Sequence, residues 1–299
     1  MELFVSGRVC LFGEHNDWAA EGQKDNASNY SAIVMGTQQG IYARVAQHPS
    51  KLVVKCSFLA PCALQGQEEP ISHSIEIDMN ELSLEKETNR SQSFFRYISG
   101  VALQILRRRK TNDCRATLMP GVEGIILDIY KSDLPMKKGL SSSGAICVLT
   151  AQAFSKCYDM NLSNQEIMEI AYQGEISTGS KCGRMDQVCV YGSNQLCFMT
   201  FHQNALPKTQ PIKAQLDLFF VIVDLGSEKD TVEILNQLQK NYYEAVTEDS
   251  PIRTFFRQNR RTVHEAKNIL EMQYTPSNLP NQVEKLGNLM SNIQNMFDR

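Results

Sequence analysis

The chain has 299 residues, of which 42% are hydrophobic and 21% charged, a composition that excludes a mostly disordered or collagen-like protein. Its 30 basic and 33 acidic side chains leave a formal net charge of −3, so no overall field draws it to nucleic acid or to an anionic membrane. At roughly 150 residues per domain the length predicts two domains, expected as two lobes with a cleft.

In chain order, Met1-Glu2-Leu3-Phe4-Val5 has neither a basic leader nor a long apolar stretch before a small-residue cleavage site, so a cytoplasmic protein is expected. Leu3 to Phe12 reads as a strand, as do Ile41 to Val45, Leu52 to Ser57 and Ser74 to Met79. In the last of these Ile75, Ile77 and Met79 point one way and Glu76 and Asp78 the other, which predicts a half-exposed sheet. Residues 91–110 predict an amphipathic helix with Phe94, Tyr97, Ile98, Val101, Ala102 and Ile105 on one stripe. The run Arg107-Arg108-Arg109-Lys110 at its end complements the helix dipole, with a phosphate patch as the alternative. Gly124 to Tyr130 predicts a strand, Asp133-Leu134-Pro135 a turn, and apolar Ile146 to Phe154 a buried helix. Ser163 with Glu166 three residues on is a capping-box pattern, and Ile167, Ile170, Ala171 and Gly174 follow on one face of a helix.

After Tyr191-Gly192 strands are expected again, culminating in Leu218 to Asp224, and then helices at 231–247, 256–272 and 282–298. Leu218-Phe219-Phe220-Val221-Ile222-Val223, among the longest apolar runs, falls far short of the ~20 residues that cross a bilayer. A boundary near residue 205 would divide a β-rich N-terminal lobe, 1–205, from an α+β C-terminal lobe, 206–299. The 9 cysteines form no Cys-x-x-Cys pair, and Cys10, Cys147, Cys189 and Cys197 lie in apolar surroundings, so buried reduced thiols are expected. The 5 histidines are scattered without metal-ligand spacing to a cysteine, which argues against zinc.

Three clusters carry candidate chemistry. The loop Gly139-Leu140-Ser141-Ser142-Ser143-Gly144-Ala145 lies between strand and helix, where backbone N–H groups and the positive helix end converge on anionic oxygens. Three serines add hydroxyls for phosphate oxygens or a magnesium ion; a plain helix cap is the alternative reading. The segment Gly7-Arg8-Val9-Cys10-Leu11-Phe12-Gly13-Glu14-His15-Asn16-Asp17-Trp18 gathers four ionisable groups at the end of a strand. There Glu14, His15 and Asp17 could bond several hydroxyls while Arg8 brings a permanent charge; an exposed polar turn is the alternative. In the third cluster Glu175 follows Ile167 and Ala171 at spacings of four, so its carboxylate falls on the apolar stripe and needs a cation, either an arginine or magnesium. Asp186, in Gly183-Arg184-Met185-Asp186-Gln187, could hold a substrate hydroxyl for attack on phosphorus, or be a structural ion pair with Arg184.

Taken together the three clusters resemble the GHMP kinases, and within them the galactokinase branch. Residues 7–18 are similar to that branch's sugar-binding motif, Pro135-x-x-x-Gly139-Leu140-Ser141-Ser142-Ser143 looks like the family's ATP loop, and Cys182 to Gln187 looks like the segment with the catalytic aspartate. Leu218 to Ser227 resembles the strand that opens the family's second domain. The resemblance implies an α+β, two-lobed fold with a β-rich N-terminal lobe like domain 2 of ribosomal protein S5 and a ferredoxin-like C-terminal lobe. It implies an ATP-dependent sugar kinase that phosphorylates a hydroxyl, expected to be the anomeric one, of a galactose-like hexose, uronic acid or related sugar. Gly139, Leu140, Ser141, Ser142, Ser143 and Gly144 would hold ATP, and Ser143 (or Ser142) and Glu175 would surround Mg2+. Asp186 would orient or deprotonate the acceptor hydroxyl, Arg8 would stabilise that oxygen and the transferring group, and Glu14, His15 and Asp17 would grip the sugar. The implied partners are the sugar and ATP, with no nucleic acid and no membrane.

Several features depart from the family pattern. Gly144 stands where the family usually has Ala, Lys137 where it often has Gly, and Ala19 to Gly36 is longer than the galactokinase pattern. A tyrosine and paired arginines expected after the second-domain strand are missing, with Tyr242 and Tyr243 only near the right place. The sequence stops at Arg299 without the family's third, glycine-rich motif, so a truncated chain or an incomplete site is expected. A non-catalytic ATP- and sugar-binding protein or sensor, or an inactive kinase fragment, is the alternative function.

Overall fold

The computed structural model describes residues 1–21, 30–58, 71–90, 93–110, 124–135, 138–215, 219–223, 231–245, 247 and 249–298. The chain forms two compact units that interleave in sequence. The first comprises Met1–Gly7, Thr37–Ser180 and Asp186–Ser193, and the second Arg8–Gly36, Lys181–Met185 and Asn194–Arg299.

In the first unit, strand β3 (Lys51–Phe58) pairs antiparallel with β4 (Ile71–Asp78) and parallel with β5 (Gly124–Ser132). The other edge of β5 pairs antiparallel with Ile41–His48, the later part of β2 (Tyr30–His48), and β1 (Glu2–Phe12) also pairs with β2. Alternate residues Ile125, Leu127 and Ile129 are buried, so one face of β5 belongs to the core, as its alternating pattern requires. The unit's helices are α2 (Glu81–Thr88), α3 (Arg96–Lys110), α4 (Ser142–Cys157) and α5 (Asn164–Ile176). Helix α4 is buried all round from Ala145 to Leu149, the burial expected for a helix that is apolar on every face. Arg107, in the basic run closing α3, pairs with Glu81 (2.9 Å) and Glu85 of α2.

In the second unit, Tyr30–Met35 of β2 pairs antiparallel with β6 (Leu196–Phe201), whose other edge takes β7 (Lys208–Pro211). Its helices are α1 (Asn16–Glu21), α6 (Thr231–Glu244), α7 (Pro251–Glu271) and α8 (Leu279–Phe297). Phe12, Ile33 and Phe198 from the strands meet Val263, Ala266 and Leu270 of α7 and Leu286 of α8 in a single core.

The α+β fold and its longer helices agree with the sequence expectation, with local differences. The run expected as a strand at Leu218–Asp224 has no regular structure over its described part, Phe219–Val223, where Phe219 is 92% and Val221 91% exposed. Residues with high β propensity form a strand only when a neighbour accepts and donates their backbone hydrogen bonds, and no described strand pairs with this segment. Helix α2 was not expected; Asn80 caps it by accepting the Ser83 N–H at 2.9 Å. The first part of β2 also escaped, because Tyr30 to Val34 are buried on both faces and leave no alternation to read. Lys137 lies outside the described residues, as do 22–29 of the long segment after Ala19. Every described cysteine is a free thiol, and no described helix is long and apolar enough to cross a membrane.

Candidate active site

In the first unit the serine-rich loop delivers the chain into α4 in an unusual way. Gly139 (φ 83°) and Ser141 (φ 57°, ψ 44°) both adopt left-handed conformations, free for glycine but costing about 1–3 kcal/mol for serine. Ser141 occupies the position before α4, yet its side chain makes no cap hydrogen bond. Only its carbonyl is engaged, accepting the Ala145 N–H at 2.9 Å. The amides of Ser142, Ser143 and Gly144 therefore begin a 16-residue helix without a side-chain cap, with the positive end of its dipole turned toward any anion. Leu140 is buried and anchors the loop, while the three serines stay half-buried.

Asp186 begins a short 3-10 helix, Asp186–Tyr191, and lies against the first turn of α4. A Cβ placed on Gly144 would fall 2.7 Å from the Asp186 Cβ and 3.2 Å from its carbonyl carbon, so only glycine admits this approach. Glu175 is 2% exposed on the buried stripe with Ile167 and Ala171, as its spacing predicts. Gln187 lies beside it, its Nε2 donating to Glu175 Oε2 at 2.8 Å. Gln187 is itself buried, and its Oε1 meets no hydrogen-bond partner among the described residues. The oxygens of Glu175, Gln187 and Ser143 are the hard donors that Mg2+ takes. Among the described residues no group of three or more His, Cys, Asp and Glu could hold a metal.

In the second unit Arg8 is buried and its Nη1 meets Glu14 Oε2 at 3.2 Å, while the Glu14 side chain is 45% exposed. His15 adopts φ 70°, and its Nδ1 accepts the indole N–H of Trp18 at 3.1 Å. In the neutral ring that bond leaves the proton on Nε2, which makes Nε2 a donor. The imidazole stacks on Phe297 with centroids 5.9 Å apart and 22° between planes, and Trp18 rests edge-on against Tyr242 and Phe256. Asp17 Oδ2 accepts the Met185 N–H at 3.2 Å. A Cβ on Gly183 would come within 2.2 Å of that same oxygen, so the glycine admits the carboxylate. Burial, reinforced by the charge of Glu14, pushes the Asp17 carboxyl up to about 6. Arg184 pairs with Glu21.

The loop 139–144, Glu175 and Asp186 thus belong to the first unit, and Arg8, Glu14, His15 and Asp17 to the second. Sequence reasoning gave no role to Gln187 or Trp18 and missed Asn259, whose amide donates to the Glu14 carbonyl at 3.1 Å. Gln187 and Trp18 sit inside the motifs already singled out, which is the one signal that could have found them.

Residues 96–193 match the family model of the GHMP kinases N terminal domain. The galactokinase of Thermotoga maritima is 27% identical over 262 residues, covering 83% of this chain and 63% of that protein. The chain therefore spans less than two thirds of that relative's length. Among solved structures, the Methanococcus jannaschii mevalonate kinase superposes with a TM-score of 0.63 at 17% identity, covering 100% of this chain and 78% of its own. The Lactococcus lactis galactokinase complexed with galactose gives a TM-score of 0.59 at 16% identity, covering 96% and 72%. Family model, curated relatives and shared fold agree with the three motifs: residues 96–193 carry the pattern of the GHMP kinases N terminal domain, and the chain is similar to galactokinases over most of its length.

Proposed function

We propose that this protein is an ATP-dependent sugar kinase that transfers the γ-phosphoryl group to a hydroxyl, most simply the anomeric one, of a galactose-like hexose, uronic acid or related sugar. The observation that carries the reading is the approach of Asp186 to Gly144, which sets this aspartate against the first turn of a helix whose leading amides lack a side-chain cap. On this reading the amides and hydroxyls of Gly139 to Gly144 bind the ATP phosphates. Asp186 accepts the proton of the sugar hydroxyl, that oxygen bonds to the γ-phosphorus, and the bond from phosphorus to the bridging oxygen breaks to release ADP. Arg8 offsets the negative charge that develops on the attacking oxygen and the phosphoryl group. Glu14, His15 and Asp17 grip the sugar, with the His15 Nε2–H donating. Glu175 and Ser143 would hold Mg2+, which supplies charge neutralisation on the phosphates when bound.

Residues 1–205 then form the ATP- and sugar-binding domain, and 206–299 belong to the family's second domain. Free thiols and a need for ATP go with a cytoplasmic setting. The test is coupled ATP consumption over a panel of hexoses and uronic acids, with the product identified by phosphorus NMR. Turnover of one sugar class at its anomeric hydroxyl is the expected result. Sugar binding by calorimetry beside zero turnover would instead identify a binding protein.

A further inference from the structure

Asn259 lies on α7 between Phe256 and Val263, in the face that fills the core of the second unit, and is 1% exposed. A primary amide buried there is unfavourable unless it is hydrogen-bonded, and an apolar residue would pack as well. Its Nδ2 donates to the Glu14 carbonyl at 3.1 Å and to Asn16 Oδ1 at 3.3 Å. Asn16 in turn donates to the Ser31 carbonyl of β2 at 2.8 Å, and the Ser31 hydroxyl meets Nε2 of His264, further along α7, at 3.4 Å. The same turn is pressed onto β2 at Gly13 (φ 90°), where a Cβ would come within 2.4 Å of the Ser31 oxygen.

Helix α7 and strand β2 therefore both hold the turn Gly13–Asn16. The peptide unit most in need of support is the one between Glu14 and His15, because His15 stands at φ 70°, a conformation L side chains rarely adopt. The oxygen of that peptide unit is the one Asn259 binds. The His15 ring is already fixed from the side by Trp18 and Phe297, so the peptide plane is the remaining variable.

We propose that Asn259 is a positioning residue for the substrate turn: by holding the Glu14 carbonyl it sets the directions in which the Glu14 carboxylate and the His15 Nε2–H meet the sugar. The inference rests on the sugar-kinase reading above. It assigns to Asn259, on α7, a share in sugar recognition that the three motifs do not give it.

Two variants separate hydrogen bonding from packing. Asn259→Leu keeps the volume and removes the donor, whereas Asn259→Ala removes both. Both should raise the sugar KM about tenfold or more while the ATP KM stays within about twofold, since a small displacement of positioning groups acts on the substrate they align. A packing role would spare Asn259→Leu. Calorimetric sugar affinity, measured on the same proteins with the best sugar of the panel, should fall in the same order. Should Asn259→Leu not fold, Asn259→Ala still reads the split between sugar and ATP. Unchanged sugar KM and affinity, or an ATP KM that rises in step with the sugar KM, overturns the assignment and leaves the kinase reading intact. Wild-type protein that neither binds nor phosphorylates any sugar overturns both.

Discussion

Helices α4 and α5 each follow a serine, and only one of those serines caps its helix. Ser163 sits in extended conformation before α5, accepts the Glu166 N–H, and has its own N–H accepted by the Glu166 carboxylate, so the start of α5 is closed upon itself. Ser141 is turned into the left-handed region before α4 and its hydroxyl caps nothing. The two serines have the same chemistry and opposite use. One start meets its own hydrogen-bonding demand; the other is left without a side-chain cap, where Asp186 is packed into the same turn. Asp17 follows the second pattern, a carboxylate kept buried although its burial opposes its charge, while Glu166 is exposed and satisfied.

The largest effect that would sharpen this contrast is at Asp186. Asp186→Ala should lower turnover by about 10²–10⁴-fold while leaving the melting-temperature rise given by ATP with magnesium nearly intact, because the open helix end remains. Loss of that thermal shift together with activity would mean that Asp186 belongs to nucleotide binding.

Next comes Asp17. The folded protein keeps this proton up to about pH 6, whereas an unfolded chain releases it near 3.8, so folded-state binding exceeds unfolded-state binding in between. Stability should therefore fall as pH rises from about 4 to 6. Asp17→Asn should flatten that part of the profile and raise stability at pH 7 by about 3 kcal/mol, with weaker sugar binding as the counterpart. Denaturant melts across that pH range check it, and an unaltered slope would remove the idea that function holds a disfavoured charge in place.

Gly144→Ala gives two opposite expectations. The family's habit of Ala there suggests a harmless change, whereas the 2.7 Å approach of Asp186 predicts displacement of the carboxylate. We expect turnover to drop by about tenfold to a hundredfold, read in single-turnover assays at saturating ATP. The smallest effects lie in the serines themselves. Ser163→Ala should destabilise by about 1 kcal/mol, the usual loss on removing a cap. Ser141→Ala should leave the ligand-free protein within about 0.5 kcal/mol of wild type and weaken only its stabilisation by ATP. Equal losses in the two variants would erase the distinction between them.

Much of the fold was legible where one residue's surroundings follow from its neighbours in sequence. The Ser163–Glu166 box, the stripe carrying Glu175 and the alternation in β5 all rest on contacts within a few positions. Helix α1 and the first part of β2 were not legible, because α1 is short and β2 is buried on both faces there. The site residues stood out since motif residues cluster along the chain, but their supports do not. Asn259 reaches Glu14 from 245 positions away, on a helix whose arginines suggest a solvent-facing surface. Gln187 was quoted in a motif yet given no part, since a carboxylate on an apolar stripe pointed first to a cation. The strand expected at Leu218–Asp224 erred for a related reason: propensity is local, and a partner strand is not.

The buried thiols carry a practical consequence. Cys56 on β3 and Cys197 on β6 are 3% and 1% exposed, and burial pushes their thiols up to about 12 and about 11, so at neutral pH neither is present as the reactive thiolate. Each can be alkylated only while its own strand is open. Labelling followed by mass spectrometry would thus time the opening of β3 in the first unit and of β6 in the second from one sample, using reporters the chain already contains.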